Sequence, residues 1–399
     1  MSTDFVKGVR ARNTLWASFL VMGIASMAWV PRIPEIKDSV GLSNGQFGFV
    51  FLGSTVGAVL GAQIAGRAIH TFGSRPVVFI SSTLLPAGLI AMAFAETATQ
   101  LFLGLMLMGF GYALTDMSVN SQAVVVEKII NQKWMSSFHG MWSLGSFLTT
   151  VFGGAVAAHL SPRENLILIA IVCAIAFIPA NIFLLPPYLD EHKGDESDLA
   201  PKIPFFGKNV AILWAIGLGM IAGMIAEGAA SDWGGILLRD SMNIPLGLNA
   251  SAFASFALAM ITSRFLGDKA LTRFGARNTV KYGGLIGGAG WAICLAIAIP
   301  LSQSHTYPAM VIADIGFIFA GLGIGPMFPA FILAASRVNG IASAVAISRV
   351  GLIGIAGFFI GPTLTGLLAE VTSLSWAMAY PIGMLLLASY MSRAIGKDD

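Results

Sequence analysis

Charge is what this 399-residue chain has least of. Only 11% of its residues are Asp, Glu, Lys or Arg, while 56% are hydrophobic. A soluble domain carries about 25% charged residues, so an ordinary water-soluble fold is excluded and a polytopic membrane protein is indicated. Cysteine is nearly absent. Cys173 and Cys294 both fall inside apolar runs and read as small core residues, not as a disulfide or a metal pair. No Walker loop, metal-ligand spacing or hydrolase triad occurs, so neither an enzymatic activity nor a cofactor is expected. The net charge of +3 is no nucleic-acid signal, because the basic residues lie in short loops between apolar stretches. Gly321, Gly323 and Gly325 have the spacing of a nucleotide loop. They sit in an apolar run that leads into Pro326 and Pro329, which favours a close-packed, bent helix.

What is abundant is long apolar sequence. A helix needs about 20 apolar residues to cross a bilayer. Taken in order, such stretches fall near 13–36, 45–66, 76–95, 99–124, 136–158 and 165–185, and again near 209–236, 250–268, 278–300, 307–333, 341–367 and 374–393. The polar stretch 186–208 separates the two sets. The expected organisation is an all-α, multi-pass membrane protein of twelve transmembrane helices in two six-helix bundles, 1–185 and 209–399, joined by a cytoplasmic linker, 186–208. The basic N-terminal segment is followed by an apolar run too long for a cleaved signal, and this run is taken as the first span.

The distribution of Lys and Arg sets the orientation. With both termini cytoplasmic, the cytoplasmic segments hold 17 of the 23. The outer segments hold Arg32, Lys37, Arg163 and Arg239, and Arg264 and Arg349 lie within spans. The halves also repeat. GRAIHTFGSR (66–75) and DKALTRFGAR (268–277) align without gaps at an offset of 202, so that Phe72-Gly73 matches Phe274-Gly275 and Arg75 matches Arg277. Six spans plus six in parallel repeat is the plan of one class of transporter.

That loop pair resembles the signature of the major facilitator superfamily after spans two and eight: a glycine, an acid, then Gly-x-Arg. The second copy fits, with Arg264 and Asp268 around Gly267, and the first has His70 where the acid is usual. Arg75, Arg277, Arg264 and Asp268 are accordingly expected to act in gating. Within the superfamily the chain resembles the fucose-permease-like branch, closest to uncharacterised bacterial inner-membrane members. The segments that carry this are WVPRIPEIKDSVGLS (29–43), TDMSVNSQAVVVE (115–127), SFHGMWSLGS (137–146), AEGAASDW (226–233) and GIGPMFPA (323–330). The resemblance implies an acid and an asparagine four apart on span four, matched by Asp116 and Asn120. It implies a polar sugar contact three residues before the x-Ser-x-Gly of span five, where His139 stands, with Trp142 in the same segment. It also implies an aspartate late in span one. Val30 lies near that place, so Asp116 would work alone or with a different partner.

The residues themselves narrow the chemistry. Asp116 and Asn120 are four apart and share a helix face, and Tyr112 extends that face by a turn. A carboxylate at membrane depth is costly unless it is paired or functional, and Asp116 is the leading candidate for proton coupling. Asn120 suits a solute hydroxyl or a helix cross-link, and His139 titrates in a useful range. Glu227 and Asp232 on span seven point about 140° apart at 100° per residue. Glu227 is the one expected to face a cavity and to share in proton coupling with Asp116. Asp232 and the adjacent Trp233 lie nearer the outer boundary, where a tryptophan is often an interface anchor. Asp314 on span ten is a further candidate contact. Arg264 lies four before Asp268, so a local bridge is the simplest expectation. Arg349 on span eleven has no acid near it in sequence, and would favour a sugar acid or another carboxylate as solute. The expected activity is therefore uptake of a small polar solute with protons across the bacterial inner membrane, by a chain embedded as a monomer in the lipid bilayer. The alternatives are a proton-coupled efflux antiporter for amphipathic compounds, compatible with 18 Met and 27 Phe, and a membrane sensor that does not transport.

Overall fold

The computed structural model describes residues 3–132, 134–189, 208–338 and 343–396, and among them the secondary structure is helical throughout. Eleven helical stretches in the described residues are long and apolar enough to cross a membrane. The remaining expected span, 136–158, is occupied by a 22-residue helix, Met135–Val156. Most of the expected linker, 190–207, lies outside the described residues.

The chain forms two compact units, Met1–Leu42 with Phe49–Asp198, and Ser43–Gly48 with Leu199–Asp399. The first is built from α1 (Thr3–Met27), α2 (Ile33–Val40), α3 (Asn44–Phe72, whose first turn belongs to the second unit), α4 (Ser74–Ala93), α5 (Ala98–Ile130), α6 (Met135–Val156) and α7 (Pro162–Ile182). The second contains α8 (Lys208–Ile236), α9 (Ser251–Leu301), α10 (Thr306–Ile324), α11 (Met327–Ser336), α12 (Ser343–Val371), α13 (Leu374–Ala377) and α14 (Ala379–Met391).

Local sequence explains where these helices stop. The first was expected to run to about residue 36, yet α1 ends at Met27. Pro31 and Pro34 cannot donate in a helix interior, and the chain instead makes a 3-10 turn, Val30–Arg32, followed by α2. Arg32, expected in an outer loop, is only 1% exposed. Its guanidinium lies 2.7 Å from Glu35 Oε1 and donates to Leu160 O at 2.7 Å, tying this segment to the turn after α6. The expected tenth span is divided into α10 and α11 at Gly325-Pro326.

The sequence repeat has a backbone counterpart. Gly73, with φ 82° and ψ 158°, separates α3 from α4. Gly275, with φ 74° and ψ 161°, interrupts α9 at the equivalent place. A positive φ favours glycine because there is no Cβ to clash, so the Phe-Gly pair in both loops encodes the same sharp break between consecutive spans. Arg75, two residues after the first break, donates to Ile182 O at 2.8 Å at the end of α7. A cation at a helix C-terminus also complements the helix dipole.

Candidate functional site

In the first unit the site is set by how α5 is pinned from behind. Thr115 Oγ1 donates to Ser81 Oγ of α4 at 2.9 Å. Gln122, fully buried, donates to Ser74 Oγ at 2.6 Å and to Leu185 O at 3.0 Å, and accepts from Leu185 N at 2.8 Å. Ser18 Oγ donates to Asn181 Oδ1 at 3.0 Å and Asn181 Nδ2 to Ser82 Oγ at 3.1 Å, joining α1, α7 and α4. In a low-dielectric bundle such contacts satisfy polar groups that lipid cannot.

With the back of α5 held, Tyr112, Asp116 and Asn120 occupy another face. Asn120 Nδ2 donates to Asp116 Oδ1 at 3.0 Å and to the Asp116 carbonyl at 2.8 Å. Asn120 Oδ1 lies 3.2 Å from His139 Nε2 on α6. An amide oxygen only accepts, so this ring nitrogen is the donor. The result is a chain from imidazole to amide to carboxylate, in which the amide orients both ends. The His139 ring meets Phe19 of α1 edge-on, at 5.2 Å between centroids.

Two features that position His139 were not anticipated. Glu127, at the end of α5, accepts from the backbone N–H groups of Trp134 and, at 2.7 Å, of Met135, and so caps the start of α6 one turn before the histidine. A carboxylate suits a helix N-terminus because it faces unpaired N–H groups and the positive end of the dipole. Glu127 was visible as the last residue of the 115–127 segment. The second feature is the close crossing of α1 and α6, where a Cβ on Gly145 would lie 2.2 Å from Leu20 O. Trp142, three residues after His139, has an indole N–H that is buried and finds no acceptor among the described residues.

In the second unit the polar groups are arranged differently. Arg264 of α9 lies 3.3 Å from Glu227 Oε1 of α8, so its carboxylate partner comes from the preceding span. The side chain of Asp268, the expected partner, lies outside the described residues. Asp314 of α10 accepts from Ser251 Oγ at 3.0 Å. Arg349 is partly buried and sits six residues after the first residue of α12, near one end of that helix and not at its middle. Arg277 is partly exposed in the turn that follows Gly275. Trp233 corrects an expectation. It is fully buried and donates to Pro362 O of α12 at 2.8 Å, so it is a helix cross-link and not an interface anchor. No group of three or more His, Cys, Asp or Glu able to hold a metal occurs among the described residues.

Comparison with known proteins places this arrangement in context. The family described as the Major Facilitator Superfamily matches residues 15–344. An uncharacterized MFS-type transporter of Yersinia pestis is 27% identical over 392 residues, covering 97% of this chain and 96% of the relative. The membrane protein MosC of Rhizobium meliloti is 25% identical over 369 residues, covering 92% and 85%. Among solved structures, a D-xylose-proton symporter superposes with a TM-score of 0.77 at 12% identity, covering 98% of each chain. The nucleoside transporter NupG does so with a TM-score of 0.75 at 15% identity, again covering 98% of each. At these identities the structural matches speak to the fold alone.

Proposed function

This chain belongs to the Major Facilitator Superfamily and is a multi-pass membrane transporter, and we propose that it carries a small polar solute by proton symport. The solute class is a sugar, a sugar acid or another small carboxylate. The membrane is the bacterial inner membrane, with twelve spans, both termini cytoplasmic and the chain acting as a monomer. Bacterial relatives support the location, and a D-xylose-proton symporter among the similar folds fits a polar solute moved with a proton.

The observation that carries the reading is the hydrogen-bonded chain from His139 through Asn120 to Asp116. A carboxylate at this depth is expensive to move as an anion. Protonation removes the charge, and the carrier then reorients at lower cost. Asp116 Oδ1 can keep its bond from Asn120 when the other oxygen is protonated, so the amide holds the acid in place in both states. The Trp142 N–H supplies a donor for solute oxygen atoms, His139 with its Nε2–H on Asn120 offers the solute the rest of its ring, and Tyr112 extends the same face of α5. Arg349 and Asp314 are the proposed solute contacts of the second unit, and Arg75, Arg277, Arg264 and Asp268 the proposed gating groups.

The test is transport in proteoliposomes with candidate sugars and sugar acids, chosen by a thermal-shift screen. Asp116→Asn should abolish accumulation driven by a pH gradient while leaving solute exchange at equal concentrations. Accumulation that survives intact in this variant overturns the assignment. Resistance to amphipathic compounds conferred on an efflux-deficient host would instead identify an exporter.

A further inference from the structure

Two carboxylates stand five residues apart on α8, and the protein treats them in opposite ways. Glu227 is 8% exposed and in contact with the Arg264 guanidinium. Asp232 is partly buried, and among the described residues it makes no hydrogen bond and no ion pair.

The helix geometry shows why Asp232 is left alone. Ile221, Ile225 and Gly228 form one stripe of α8 that meets α12. A Cβ on Gly357 would lie 2.7 Å from Ile221 O, one on Gly361 2.5 Å from Ile225 O, and one on Gly228 2.1 Å from Phe358 O. Asp232 follows four residues after Gly228 and continues that stripe. The donors beside it are already committed, since Ser231 Oγ donates to Glu227 O and Trp233 Nε1 to Pro362 O.

The charged and titratable groups of the surrounding elements lie at other levels or are bonded to other partners. Arg264 is held by Glu227, so the stretch of α9 level with Asp232, Phe256 to Met260, has no ionisable side chain. On α10, Asp314 is bonded to Ser251. α11 carries no ionisable residue. On α12, Arg349 lies eight residues before Gly357, which is level with Ile221, and so sits roughly 28 Å along the axis from Asp232 at 1.5 Å per residue. Glu370 of the same helix accepts from Gly45 N at 2.9 Å. In the turn after α8, Arg239 pairs with Asp240 at 2.6 Å. On α14 and the 3-10 turn that follows, Tyr380, Tyr390 and Arg393 make no bond to Asp232, and Arg393 stacks over Tyr390.

We propose that Asp232 is the second unit's proton-exchange group. An isolated carboxylate in a membrane bundle keeps its charge only where water reaches it. Asp232 can take up one proton to become a neutral acid, and release it again, without breaking any bond in the protein. Protonating Glu227 would instead leave Arg264 without its partner. The inference rests on the proton-symport reading, and it gives that reading a specific second carboxylate.

The experiment is infrared difference spectroscopy of the purified, nanodisc-reconstituted protein between acidic and alkaline buffer, reading the carboxylic-acid C=O stretch and its shift in heavy water. Asp232→Asn should remove one component of that band, Glu227→Gln should leave the component in place, and Asp232→Glu should restore it at a shifted frequency. Asp232→Asn breaks no bond, so its melting temperature should match that of the wild type, which separates loss of the group from loss of the fold. A band unchanged in Asp232→Asn, or one removed by Glu227→Gln, overturns the proposal. The readout needs no solute. If the Asp232 band is present while uptake ignores the pH gradient, the symport reading fails and the proton site stands. If uptake is proton-driven and the band is missing, only the site assignment fails.

Discussion

The two units answer the same physical problem, how to keep a carboxylate inside a membrane helix, with different partners. In the first, Asp116 is held by a neutral amide, and the amide is held by an imidazole. In the second, Glu227 is held by a guanidinium, and Asp232 by nothing among the described residues. An amide donor stabilises a carboxylate without cancelling its charge, so the proton remains free to come and go. An arginine cancels the charge, and the pair then resists protonation because the cation would lose its partner. The difference predicts function at Asp116 and structure at Glu227.

The sharpest way to break this comparison is to neutralise both acids separately. Asp116→Asn should abolish proton-driven accumulation, a fall of about 5- to 150-fold to the passive level on the usual range of a coupling free energy between two ligands, with little change in thermal unfolding. Glu227→Gln should do the reverse and cost about 1–3 kcal/mol of stability. That is below the figure for a fully buried pair because Arg264 retains 36% side-chain exposure. Thermal unfolding of detergent-solubilised variants, beside proteoliposome uptake, checks both. If Glu227→Gln unfolds at the wild-type temperature but no longer accumulates solute, the roles are exchanged.

A smaller effect is expected at the α8–α12 cross-link. Trp233→Phe removes the donor to Pro362 O and should cost about 1–1.5 kcal/mol in the same unfolding assay, the net worth of one buried hydrogen bond, because that carbonyl keeps its helical partner. Smaller again is His139→Ala. It deletes one hydrogen bond to Asn120 and should weaken solute binding by about 2- to 10-fold, corresponding to about 0.5–1.5 kcal/mol. Binding measured by calorimetry or thermal shift would reveal it. A larger loss would mean that His139 does more than orient Asn120.

Much of the first site was legible because it is local. Asp116 and Asn120 are four residues apart, so a helix alone puts them in contact, and their bond needs no knowledge of the rest of the fold. His139 is only 19 residues further along, on the next span. The second site was less legible. Arg264 has an acid four residues away in sequence, yet the partner that the structure displays is Glu227, 37 residues away. The choice depends on which faces of α8 and α9 meet. Trp233 was read from its position near a span end, whereas its partner Pro362 is 129 residues away.

What the sequence by itself determined is the one-dimensional part of this protein: its apolar helices, the repeat at an offset of 202, the glycine breaks at Gly73 and Gly275, and the Asp116–Asn120 pair. Each follows from hydropathy, helix period or backbone sterics, which act over a few residues or one span. Only the tertiary structure decided that Arg32 is buried, that Arg264 serves Glu227, and that Asp232 has no partner among the described residues. In a low-dielectric bundle, the meaning of a charged side chain is set by what the neighbouring helices bring to it. Those neighbours are assembled by packing between segments that lie tens to hundreds of residues apart.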